Sequence, residues 1–203
     1  MQERQLNSSR AVSYGSLSTR WRLLGLLPLT FFILQGLHYW RINELGHMLW
    51  MCNLANLLLA LALFLNQALL IRVAVLWMIP GLFIWFWYVV LAWGVFFSST
   101  LAHVGGIVVG MLALKRVGMD RAVWAYALLW YFAVQLLSRL ITPVEMNVNV
   151  SQKIYAGWQQ TFTVYWKFWL VLTLGTALCL WVLERMLYSL WPAPKPQPKR
   201  SGQ

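Results

Sequence analysis

Six runs of apolar residues divide this chain, at 21–40, 47–65, 68–91, 97–114, 122–141 and 162–183. A bilayer-spanning helix needs roughly 20 such residues. The pattern therefore predicts an all-α fold: a polytopic membrane bundle of six transmembrane helices. Arg72 lies near the start of the third run and Pro80 inside it. A membrane helix tolerates that proline as a kink. The connections are short except for 142–161, which carries Pro143 and Gly157. Three regions follow: a basic tail at 1–20, the membrane domain at 21–185, and a Pro-rich basic tail at 186–203.

Charge orients the bundle. Six spans place both termini on one side. With the termini inside, only Arg41, Arg139, Lys153 and Lys167 of the 16 Lys and Arg fall outside, as the positive-inside rule requires. A seventh span around Gly94 would spoil that asymmetry. The net charge of +11 thus reflects orientation, and no nucleic-acid partner is expected. Only 10% of residues are charged and 61% are hydrophobic, against roughly 25% charged in soluble domains. The 14 Trp suit membrane interfaces. The first 19 residues lack a signal-peptide core, so the first run reads as a retained helix. The expected location is the cell membrane, bacterial inner membrane in particular, with membrane lipid as the partner.

Polar residues inside apolar helices are costly and mark candidate sites. Cys52, Asn53 and Asn56 share the second run; Ser98, Ser99, Thr100 and His103 open the fourth. At about 1.5 Å per residue, Cys52 and His103 come out at one depth in the outer leaflet. A Cys–His pair there can supply a thiolate and its base; structural hydrogen bonding is the competing role for His103, and interhelical bonding for Asn53 and Asn56. Cys179 falls near the inner face, too far for a disulfide with Cys52. Ser99, His103, Gly106 and Gly110 lie on one helical face. Gly106-x-x-x-Gly110 allows close helix approach, either within the bundle or to a homo- or hetero-oligomeric partner. Arg139 is placed to pair with Glu145 or Glu44, or to hold a lipid phosphate or carboxylate. His38, His47, His103 and Glu44 could form a donor set, but no HxxxH or HExxH spacing supports it, and no metal or cofactor is expected. Asn149-x-Ser151 matches a glycosylation sequon.

The segment His47-Met-Leu-Trp-Met-Cys52-Asn53 resembles the His/Leu-x-Cys-Asn/Asp motif of YwaF-like bacterial integral membrane proteins. Phe96-Phe97-Ser98-Ser99-Thr-Leu-Ala-His103-Val-Gly105-Gly106 resembles their Ser-His-Gly helix start, and Pro143-Val-Glu-Met-Asn147-Val-Asn149 their Asn-containing loop. The motifs share the family's order and cover about Gly46 to Asn149. The family includes an animal transmembrane acyltransferase of ether phospholipids. The resemblance implies that Cys52 is an acyl-accepting nucleophile and His103 its base or orienter.

The expected function is acyl transfer or hydrolysis on lipid esters from an outer-leaflet pocket. Cys52 and His103 would do the chemistry, Asn53 or Asn149 would hold the carbonyl oxygen, and Asn56, Ser99 and Arg139 would complete the binding set. Two alternatives stay open: a non-enzymatic binding or transport protein, and a membrane assembly subunit.

Overall fold

The structure, a computed structural model, describes residues 17–92, 94 and 96–194. The outer parts of both expected tails, 1–16 and 195–203, lie outside the described residues. Six helices form the body: α1 (Thr19–Arg41), α2 (Met51–Phe64), α3 (Ala68–Ala92), α4 (Phe97–Val117), α5 (Val123–Ile141) and α6 (Tyr165–Leu190). Five of them, all but α2, are long and apolar enough to cross a bilayer, which makes this a multi-pass membrane protein.

The second helix departs from expectation. In place of 47–65, α2 has only 14 residues, preceded by a 3-10 turn at Leu45–Leu49. It rises about 21 Å, against a hydrocarbon core of about 30 Å. It is also the element most shielded from lipid: Leu59, Ala60, Ala62 and Leu63 are fully buried, and α1, α3 and α4 pack around it. A short helix is tolerated there because its ends meet protein polar groups rather than hydrocarbon. Gly25 permits the packing on one side. It lies at a break in α1, and a Cβ there would stand 2.9 Å from the Phe64 ring and 3.0 Å from the Ala60 carbonyl oxygen.

Contacts at one end of the bundle join its turns. The Leu17 N–H donates to Asn66 Oδ1 at 2.7 Å. There too the Met119 N–H donates to the Trp191 carbonyl at 2.6 Å, and the Ala193 N–H to the Met119 carbonyl at 2.7 Å. Both described chain ends therefore sit together. Gly118 has φ 69°, and a Cβ there would meet the Ala193 backbone at 2.6 Å, so glycine is required. Arg72 closes the same end. Its Nε donates to the Gly118 carbonyl at 2.8 Å and caps the last turn of α4, with Asp120 at 3.6 Å. Helix α3 runs helical through Pro80.

The last helix starts three residues later and ends seven residues later than expected, at Tyr165 and Leu190. The extension carries Glu184, which is completely buried. Its Oε2 accepts the Trp124 N–H at 2.9 Å, in the first turn of α5. Helix α5 has no side-chain cap of its own, so a carboxylate from another helix takes that place, where the helix dipole favours an anion.

Candidate functional site

The cluster around Cys52 and His103 is built on a defect in α4. Residues Leu101–Gly105 form a π turn between two α-helical stretches. Such a bulge disturbs the i→i−4 ladder and is frequent at functional sites. Asn56 of α2 exploits it: its Nδ2 donates to the Ala102 carbonyl at 2.9 Å and to its own helix at Cys52 at 3.1 Å. One amide thereby joins the backbone at Cys52 to the backbone beside His103. Among the described residues Asn56 Oδ1 has no donor; it lies against Gly106, where a Cβ would collide with it. Gly106→Ala is therefore expected to cost about 2 kcal/mol. Asn56→Ala in the same chain should recover at least half of that, read by thermal unfolding in detergent; strictly additive effects would mean that the two residues do not touch.

His103 sits inside the π turn. Its Nδ1–H donates to the Ser99 carbonyl at 2.8 Å, which leaves Nε2 as the basic nitrogen. The ring stacks on Trp85 of α3, with centroids 5.4 Å apart and planes 14° apart. Cys52 faces the same helix one turn away, because a Cβ on Gly81 would lie 3.0 Å from Cys52 Cβ. Gly81 and Trp85 share one face of α3. Cys52 and His103 thus pack against neighbouring turns of α3. Among the described residues no hydrogen bond joins the Cys52 thiol to His103, and Cys52 is free and half-buried. Cys179 is also free but lies exposed on α6.

Asn53 and Asn149 differ in kind. Asn53 is buried; its Nδ2 donates to the His47 carbonyl at 3.0 Å, while among the described residues Oδ1 has no donor. Asn149 is spent on structure. Its Nδ2 donates to the Leu49 carbonyl at 2.7 Å and to Ser138 Oγ at 3.0 Å, and its Oδ1 accepts the Met51 N–H at 3.0 Å. Both amide hydrogens are committed, so the carbonyl-holding role expected of Asn149 has no free donor. The buried amide is likewise closed to glycosylation. Asn149 instead caps α2 across about a hundred residues of sequence.

Arg139 is exposed and lies over the Tyr165 ring, 5.9 Å from its centroid. Among the described residues it pairs with neither expected carboxylate. Glu44 takes the His47 Nδ1–H at 3.0 Å instead. The three histidines do not converge: His38 packs on Phe96, His47 on Trp50 and Tyr39, and His103 on Trp85. Among the described residues no group of three or more metal-ligating side chains forms. Gly106 and Gly110 are buried inside the chain, the first against Asn56, the second against Val75, Met78 and Leu59. At those glycines the close approach is between helices of this chain.

Buried polar residues outside the expected set include Glu184 and Gln35 of α1. Gln35 is 3% exposed, and among the described residues its Oε1 has no donor. Each stands in an apolar run, and that isolation was the available signal. The Tyr39 hydroxyl lies within electrostatic reach of Gln35, Cys52, Asn53 and Tyr88, so Gln35 joins the Cys52 cluster. Comparison with protein-family models, with curated proteins and with solved structures finds no match to this chain.

Proposed function

We propose that this multi-pass membrane protein transfers or hydrolyses acyl groups of lipid esters at the Cys52–His103 groove. In this reading six helices cross the bilayer with both termini inside, and the groove opens to the outer leaflet of the cell membrane. One observation carries the reading. The Asn56 amide ties the Cys52 backbone to the π turn of His103, while the Ser99 carbonyl holds Nδ1–H and leaves Nε2 to accept a proton.

The step balances as follows. Cys52 Sγ attacks the ester carbonyl while its proton passes to His103 Nε2. The tetrahedral intermediate collapses, the C–O bond breaks, and the leaving alkoxide takes the proton back from Nε2. A thioester remains on Cys52, which water or an acceptor alcohol then cleaves. The Asn53 side chain, with one Nδ2 hydrogen not used by His47, would hold the carbonyl oxygen. Arg139, free of a carboxylate, would hold a lipid phosphate at the interface.

A second reading rests on the missing thiol–imidazole hydrogen bond: the same groove binds a lipid head without covalent chemistry. Intact-mass analysis after incubation with lipid esters separates the two. An acyl adduct that disappears in Cys52→Ser and persists in Cys179→Ser is the expected result. No adduct with a range of lipid esters, together with an unreactive thiol, would remove the acyl step and leave the binding reading.

A further inference from the structure

Among the described residues, the buried amide oxygens Gln35 Oε1 on α1 and Asn53 Oδ1 on α2 have no hydrogen-bond donor. Their residues are 3% and 2% exposed. A buried acceptor without a donor costs free energy that lipid cannot return. Asn56 Oδ1, also without a donor, rests against the Gly106 backbone, a contact that allows a weak Cα–H bond. Gln35 and Asn53 have no such explanation. The Tyr39 hydroxyl lies near both, with the Cys52 thiol and the Tyr88 hydroxyl around it. Among the described residues none of these donors bonds either oxygen, so both acceptors are left unserved.

Exposure is graded around this pair. Gln35 and Asn53 are buried, Tyr39 and Cys52 half-buried, and Tyr88 exposed on the outer half of α3. The shortage therefore lies beside a flank open to lipid. We infer that Gln35 and Asn53 receive the polar head of a lipid that brings its own hydrogen-bond donor, a hydroxyl or an ammonium group. The inference rests on the reading that this groove handles lipid, and not on the acyl step. It also assigns the two residues a selective role, because a head without O–H or N–H leaves both oxygens unpaired.

The test is native mass spectrometry of the full chain in mild detergent. It is loaded with phosphatidylethanolamine, phosphatidylglycerol or phosphatidylcholine of matched acyl chains. The first brings an ammonium, the second hydroxyls, the third no donor. Phosphatidylethanolamine and phosphatidylcholine share a net charge, so their difference is free of the basic character of the protein; for phosphatidylglycerol only the part lost in the variant is read. Wild type is expected to retain at least one donor-bearing head about tenfold better than phosphatidylcholine. The arm that shows the preference identifies the donor as ammonium or hydroxyl.

In Gln35→Leu that preference should fall to about twofold or less, with an unfolding temperature unchanged or raised, because an unpaired buried oxygen has been removed. If Gln35→Leu fails to fold, Gln35→Met is read in the same way. Equal retention of all three lipids by wild type would overturn the inference. So would a preference that persists in the variant, where the oxygen finds its partner inside the protein or in a trapped water. Intact mass in the same samples keeps the two ideas apart: a Cys52 adduct without a head preference overturns this inference alone, and a head preference without an adduct overturns the acyl step alone.

Discussion

Asn149→Ala is expected to destabilise the protein by roughly 3–5 kcal/mol. The side chain makes three hydrogen bonds, to the Leu49 carbonyl, the Ser138 hydroxyl and the Met51 N–H. Removing it strands all three groups in a region where Ser138 is fully buried. Each stranded group costs about 1–3 kcal/mol, part of which relaxation returns. The backbone adds to the loss. Asn149 has φ 53°, a left-handed conformation that asparagine tolerates better than alanine by about 1 kcal/mol. Asn149→Gly keeps the conformation and loses the bonds, so it should fall short of the alanine loss by about that amount. Thermal and chemical unfolding in one detergent measure both variants. A loss below about 1 kcal/mol in Asn149→Ala would mean that this cap does not set the start of α2.

His103→Gln is expected to slow acylation of Cys52 by about 10²–10⁴-fold, the range for removing a positioned general base. Glutamine is the informative replacement. Its amide can still donate to the Ser99 carbonyl, the bond that His103 Nδ1–H makes at 2.8 Å, but it offers no basic nitrogen. Folding should persist, with a modest loss from the Trp85 stack. The thioester should form slowly in this variant, and raising the pH should partly restore it as hydroxide deprotonates the thiol without help. Single-turnover formation of the Cys52 adduct, followed by mass against pH, reads both effects. A rate within twofold of wild type would show His103 to be a helix-packing residue, held by Ser99 and Trp85 for stability alone.

Much of the bundle is legible in the sequence because hydropathy is a local property. The runs at 68–91 and 97–114 match α3 and α4 within a few residues, and the turn between them falls near Gly94. The start of α2 is different. Residues 47–50 are as apolar as those that follow, and only the Asn149 side chain, from a distant loop, makes Met51 the first helical residue. The end of α6 follows the same logic. Glu184 looks like a helix-ending charge, yet the N-terminus of α5 takes its carboxylate into the core. For the site, the sequence brings Cys52 and His103 to one level by counting rise per residue. It cannot separate Asn53, which keeps a spare oxygen, from Asn149, whose amide is spent, because that depends on which backbone groups arrive from other segments.

The sequence by itself determines the class of this protein: apolar runs of membrane length, basic residues in the connections, and polar residues confined to a few positions. Each follows from the cost of placing a residue in lipid, which acts residue by residue. The tertiary structure decides the pairings. It sends Gly106 and Gly110 inward, gives the π-turn carbonyl to Asn56, and leaves Gln35, near Tyr39, with an oxygen unpaired among the described residues. Hydrogen bonds and close packing are properties of two partners, and in a bundle those partners are distant in sequence. The polar residues that interrupt the helices therefore divide into spent and unspent groups only once the helices are assembled.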